Sequence, residues 1–258
     1  MSIYPWLQRA AAGFLVTAAL LGIGHATRSD AAPTVAPAES RALGSSFRIT
    51  CTFTKSGTFD PIVMPGMTGM SHLHQFFGSR SITDSSTPAT IRDSRTSCSD
   101  AGDSSGYWVP ALKRGSTAIT PSAVQVIFTK TVARTIVAHP RGMVLIAGSA
   151  RTTTPQSTSI AAWTCSGSST RSTTPQVCPV GQTLIASIRF PECWDGRNLD
   201  SSDHKSHVAY ATAGTCKAGT IALPQIELRV SYPRQSTVSG LALASGSLYS
   251  LHADFMNG

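Results

Sequence analysis

Six cysteines, every one of them downstream of a short apolar leader, constrain this chain more than any other feature. They are Cys51, Cys98, Cys165, Cys178, Cys193 and Cys216. An even number of cysteines in an exported chain points to disulfides, which persist outside the reducing cytoplasm. Nearest-neighbour pairing (51–98, 165–178 and 193–216) is the simplest of the connectivities they permit. No C-x-x-C pair occurs, so zinc held by cysteine thiolates is not expected. In the leader, Arg9 precedes the apolar run 10–24, AAAGFLVTAALLGIG. Gly24-His25-Ala26 and Ser29-Asp30-Ala31 both fit the small-x-small cleavage rule, so the mature chain is expected to begin after Ala26 or Ala31. The run is shorter than the roughly 20 residues that span a bilayer. No later segment is long and apolar enough to replace it. The protein is therefore expected to be secreted, with no membrane attachment once the signal is cleaved.

The formal charge is +8. Removing residues 1–31 takes away Arg9, Arg28 and Asp30 and leaves +7. A basic balance invites an acidic partner. Yet the arginines are scattered, only 13% of residues are charged, and no Lys/Arg block interleaves with aromatics. Nucleic acid is therefore not an expected partner.

Residues 32–45 are rich in Pro, Ala and Ser and read as a linker, leaving 46–258 as one domain. Long helical periodicity is absent there. Short alternating or β-branched runs, bounded by Gly, Pro, Ser and Thr, predict strands at 47–54, 123–129, 131–138, 143–147, 183–190, 206–211 and 225–232. That pattern predicts an all-β class, mainly β with long loops: a disulfide-braced sandwich or jelly-roll-like single domain, expected to be a monomer. The Ser/Thr-rich stretch 149–176 reads as a long surface excursion.

Chemistry concentrates in the histidines. His72 and His74 would share one face of a strand, because side chains repeat with period two. His252 and Asp254 would do the same. His204 and His207 share a face only on a helical turn. These groups suggest a site in which His72, His74, Asp203, His204 and His207 are catalytic. Asp60, Trp108, Trp194, Asp195, Asp200, His252 and Asp254 would bind, the two tryptophans by stacking on sugar rings. Neutral imidazoles also suit a divalent transition metal, for which His72, His74, His204 and His207 are the candidate ligands. The same groups could act without metal as general acids and bases, or simply tie the sheet together as a buried polar network. His139, beside a strand, is expected at the surface. No Walker loop, dinucleotide fingerprint, G-x-S-x-G elbow or H-E-x-x-H helix is present.

The order D-P-I-V-x-P-G, S-H-L-H-Q-F-F-G, Y-W-V-P-A-L, F-P-x-C-W-D-G-x-N-L-D-S-x-D-H-K-S-H-V-A-Y and L-H-A-D-F-x-N-G resembles the family known as domain of unknown function 1996. The resemblance runs from about Phe47 to Gly258, and residues 190–210 carry it almost alone. It implies an exported protein working near polysaccharide and implies no particular reaction. In the family the L-H-A-D-F segment continues into Trp and a further stretch, whereas this sequence ends at Gly258, which places His252 and Asp254 behind the other candidates. Three readings follow: a hydrolase or lyase acting on cell-wall or environmental glycan, a non-catalytic carbohydrate- or metal-binding module, and a structural surface protein.

Overall fold

The structure, a computed structural model, describes residues 44–258. The expected leader and most of the expected linker lie outside the described residues. Fifteen strands and one short helix follow in chain order. They are β1 (Ser46–Gly57), β2 (His74–Gly78), α1 (Pro88–Ile91), β3 (Gly106–Pro110), β4 (Leu112–Arg114), β5 (Thr117–Ala118), β6 (Ala123–Thr129) and β7 (Val144–Gly148). Then come β8 (Ala161–Cys165), β9 (Leu184–Arg189), β10 (Cys193–Trp194), β11 (Val208–Ala209), β12 (Ile221–Ala222), β13 (Gln225–Tyr232), β14 (Leu241–Leu243) and β15 (His252–Met256).

Nine strands form one sheet in the order β7-β15-β3-β2-β1-β6-β13-β9-β8. Every neighbouring pair is antiparallel. Laid flat, nine strands would span roughly 40 Å at the usual inter-strand spacing. Instead Leu145 at one edge and Trp163 at the other belong to a single buried cluster with Phe77, Ile49, Val126 and Leu228. The sheet is therefore curled until it nearly closes on itself, as a flattened barrel or sandwich. β1 makes the corner: its first half pairs with β6 and its second with β2, and the register shifts between Phe53 and Lys55. A bulge there bends the strand and strengthens its twist.

The half-buried strands match the sequence reading. β6 and β13 occupy the expected ranges, and β13 alternates cleanly between buried and half-buried residues. Three expectations are corrected. Residues 131–138 form no strand; Val132 and Ile136 instead pack as irregular chain against Cys193, Cys216 and Ala222. The expected strand at 206–211 shrinks to two residues. The 149–176 stretch is no mere excursion, because it contains β8, buried along its whole length around Trp163.

All three disulfides follow the nearest-neighbour pairing: Cys51–Cys98, Cys165–Cys178 and Cys193–Cys216. The inward face of the four strands β7, β15, β3 and β2 belongs to the main core. Their outward face is not left to solvent. The segment between β1 and β3 folds over it, so that Ile62, Ile82 and Ile91 seal a second apolar cluster with Phe76, Trp108, Val144 and Met256. Further along those same strands, the outward face carries histidines and an aspartate.

Candidate functional site

Period two on a strand decides which side chains meet. On β2, Gln75 and Phe77 face inward, so His74 and Phe76 face outward; on β15, Ala253 and Phe255 face inward, so His252 and Asp254 face outward. Between them runs β3, with His74 paired to Pro110 and Asp254 paired to Trp108. That register carries His252 level with Pro110. Because the proline ring is small, the His74 and His252 rings reach over it to a centroid separation of 5.8 Å. His72, on the chain leading into β2, completes the group at 4.1 Å from His74 and 5.0 Å from His252. Asp60 enters from the covering segment. Its Oδ1 accepts the backbone N–H groups of Ile62 and Val63 at 3.0 and 3.1 Å, which winds a tight turn through Pro61.

His74, His252, Asp254 and Asp60 are all buried, and His72 is half-buried. One ligand atom from each of His72, His74 and His252 lies within 4.8 Å of the others, and the same holds for Asp60, His74 and Asp254. Hydrogen bonds orient two of the rings. His74 Nδ1 meets the carbonyl of Phe59 at 3.0 Å, and His252 Nδ1 meets the carbonyl of Ser250 at 2.8 Å. A carbonyl only accepts, so Nδ1 carries the proton in both, which leaves the Nε2 lone pair of each ring facing the cluster. His74 Nε2, His72 Nε2 and Asp254 Oδ2 are screened from solvent and have no hydrogen-bond partner.

Burial sets the charge state. It lowers His72 to about 4 and His252 to about 3, and holds His74 well below its ordinary value, where His72 and His252 add to the effect. All three imidazoles are neutral at pH 7 and keep a lone pair to offer. Burial, reinforced by the charge of Asp60, pushes Asp254 well above the ordinary carboxylate range. Asp60 is also raised by burial, against the pull of the Val63 and Ile62 N–H groups. Neutral imidazole nitrogens are therefore gathered beside carboxyls that burial holds toward their protonated form, with Lys205 the nearby cation.

The cluster opens into a cleft of about 710 Å³. His72, His252, Asp254 and Asp60 line its floor, and Ser202, Asp203, His204 and Lys205 line one wall. The remaining sequence-derived candidates sort by position. His204 is on the wall, its Nδ1 against both oxygens of Asp200 at 2.9 and 3.0 Å. Asp203 lines the cleft but spends Oδ1 on the N–H groups of Lys205 and Ser206 and the hydroxyls of Ser201 and Ser206. These bonds, led by the Ser206 N–H, hold it far below the ordinary carboxylate range. Asp195 closes a neighbouring turn onto Arg197 and Asn198.

His207 is not brought into the cluster. Its Nδ1 meets Ser201 Oγ at 2.9 Å and its Nε2 meets the Val144 carbonyl at 2.8 Å, so both nitrogens serve the frame. Neither tryptophan offers a face to a sugar: Trp108 is packed against Phe76, and Trp194 is buried with Nε1 donating to the Asn198 carbonyl. His139 is not a surface side chain either, because its ring is wedged between Phe128 and Phe255. His252 and Asp254, ranked behind the others from sequence, sit at the centre. The signal for them was present: the same one-residue spacing that marks His72 and His74 marks His252 and Asp254.

The family model described as domain of unknown function (DUF1996) matches residues 60–258, from Asp60 through every residue of the cluster. No curated protein and no solved structure matches the chain.

Proposed function

The chain belongs to the DUF1996 family, and from that premise we propose that it is an extracellular, metal-dependent hydrolase of polysaccharide, with the ion held by His72, His74 and His252. One observation carries this reading. Ligand nitrogens of three neutral imidazoles, two buried and one half-buried, lie within 4.8 Å of one another, and Nε2 of His72 and of His74 has no hydrogen-bond partner. A histidine network that existed only to tie strands together would satisfy its buried nitrogens, because each orphan costs about 1–3 kcal/mol. A metal ion removes that cost, and backbone carbonyls on Nδ1 are the usual outer support of such ligands. Imidazoles favour a borderline ion such as zinc or copper over magnesium or calcium, which select oxygen. Asp254 or Asp60 is placed to supply a carboxylate once a cation favours its ionised form. Such an ion would lower the pKa of a bound water and polarise a substrate oxygen.

Polysaccharide as the substrate class rests on two supports. The cleft is lined mainly by polar side chains, among them Asp60, Ser71, Arg151, Ser202 and Asp203, and the leader and disulfides fit an oxidising compartment outside the cytoplasm. Elemental analysis of the mature protein tests the metal: about one transition-metal ion per chain is expected, lost in His74→Ala and His252→Ala together. Incubating the loaded protein with insoluble chitin, cellulose and acetylated xylan then separates turnover from simple retention. Saturable binding with no soluble product would make it a binding module instead.

A further inference from the structure

We propose that His204, oriented by Asp200, is the proton carrier of this site, and that the bond it helps to cleave is an acyl ester borne on the polysaccharide. The inference rests on the metal-site reading above and adds to it a catalytic residue and a bond type.

Backbone geometry first singles out His204. Among the described residues, only Asp93, His204 and Ala213 are non-glycine residues with positive φ, and His204, at +56°, is the one that lines the cleft. A left-handed histidine persists where its surroundings over-determine it, and such positions gather at functional sites. Here both flanks are tied down. Upstream, Asp195 caps its turn and Trp194 Nε1 bonds to the Asn198 carbonyl. Downstream, Asp203 binds the N–H groups of Lys205 and Ser206, and His207 is fixed to Val144. The 204 backbone turns back between these anchors, and its own N–H donates to the Ser201 carbonyl at 2.8 Å.

The conformation presses Nδ1 onto Asp200, four residues earlier, and leaves Nε2 as the nitrogen available to the cleft. An aspartate that holds Nδ1–H fixes the tautomer and stabilises the imidazolium formed when Nε2 takes a proton. The neighbouring side chains are spent elsewhere: Lys205 Nζ donates to the Gly148 carbonyl at 2.6 Å, and Asp203 braces its own turn. Of residues 203–205, His204 is the one that rests one ring nitrogen on an aspartate and keeps the other for the cleft, which it lines together with His72, His252 and Asp254.

The carboxyl groups decide the bond. Glycosidic hydrolysis ordinarily uses two carboxyls flanking the sugar, one ionised and one protonated. Asp254 and Asp60 line the cleft but sit together on the same side as the imidazoles, nearly closed to solvent, and Asp203 spends Oδ1 on its own turn. What the cleft does offer is imidazoles around an ion site, which suits attack on a carbonyl carbon. In that step Nε2 of His204 takes a proton from water, and the water oxygen bonds to the acyl carbon while the carbonyl electron pair moves to its oxygen. The tetrahedral adduct then collapses and the bond to the sugar oxygen breaks. That oxygen takes the proton back from His204. One ester and one water become one carboxylic acid and one free hydroxyl.

The test uses zinc-loaded mature protein with acetylated xylan, reading acetate release, and p-nitrophenyl acetate as a soluble reporter. His204→Gly suits the left-handed backbone, so it folds with an unchanged or higher Tm and keeps its zinc. Acetate release is expected to fall by about 10²-fold or more, with partial recovery in added imidazole. Asp200→Asn, also zinc-replete, is expected to fall by about 10-fold. Retention of activity within twofold by His204→Gly, or loss of its zinc, would overturn the assignment. A wild-type protein that holds zinc but releases no acetate overturns this inference and leaves the metal site standing. A protein that holds no metal overturns both.

Discussion

At the scale of single residues, the cluster makes the protein's chemistry a question of protons. In the metal-free protein the three imidazoles of the cluster have pKa values depressed by burial, so between pH 4 and 6.5 the unfolded chain binds protons that the native state refuses. Stability then rises with pH through that window. His252, from about 3 in the fold to about 6.5 unfolded, alone costs roughly 2 kcal/mol at pH 5. Asp254 and Asp60, raised by burial, work the other way: the native state keeps their protons while the unfolded chain gives them up, so they erode stability as pH rises. His139, lowered to about 4 by burial, adds to the histidine side. Metal-free protein should therefore lose Tm as pH falls from 6.5 toward 4. Zinc should flatten the alkaline side by giving a carboxylate its counter-charge. Asp254→Asn separates the effects, since the amide copies the protonated acid. It should raise the metal-free Tm at pH 7, because the fold no longer has to hold a proton that the unfolded chain gives up, and weaken zinc binding by roughly 10–100-fold in a competition titration.

At the scale of elements, the strands that build the site were the least legible, for one physical reason. Alternation is visible in a sequence when one face of a strand is wet, as on β13. β2, β3 and β15 are buried along their whole length, because the segment after β1 roofs their outer face, and their sequences show no alternation. β8 was hidden in the same way inside a Ser/Thr-rich stretch. Edge-strand packing also tunes the site. Gly148 ends β7 at φ +76°, and a Cβ there would stand 2.6 Å from the Leu251 carbonyl and 3.0 Å from His252 Cα. Gly148→Ala should cost about 2 kcal/mol or more in chemical denaturation and should weaken zinc binding by displacing His252. On the inward face, Tyr232 donates to Gln75 Oε1 at 2.9 Å while Gln75 Nε2 donates to the Ile119 carbonyl. Tyr232→Phe leaves a buried acceptor unpaired and should cost about 1–3 kcal/mol with no effect on metal content.

At the scale of the molecule, the disulfides brace the site as well as the fold. Cys51–Cys98 closes a 47-residue separation that contains Asp60, His72 and His74, and Cys193–Cys216 closes a 23-residue separation that contains Asp200 and His204. Both stretches of the site are thus closed by a covalent link, the first to β1 of the nine-stranded sheet and the second to β10, which lies outside it. Replacing Cys193 and Cys216 with alanine should lower stability by about 3 kcal/mol and expose residues 195–207 to limited proteolysis. Zinc content should be retained, because the three imidazoles lie outside that loop. Among the described residues no helix is long and apolar enough to cross a membrane, and the three disulfides fit an oxidising environment.

The β class and the half-buried strands follow from sequence alone, because each depends on local order: composition, near neighbours or period two. The cysteine pairing is only the simplest of several the sequence allows, and the fold selects it. Which histidines meet is decided by the fold as well. His207 lies three residues from His204, yet the fold turns it into the frame, while His252 lies 178 residues from His74 and comes to rest across one proline. Strand order and the curl of the sheet set those distances. Both arise from burying nine strands around one core, a non-local outcome that no stretch of the chain carries by itself.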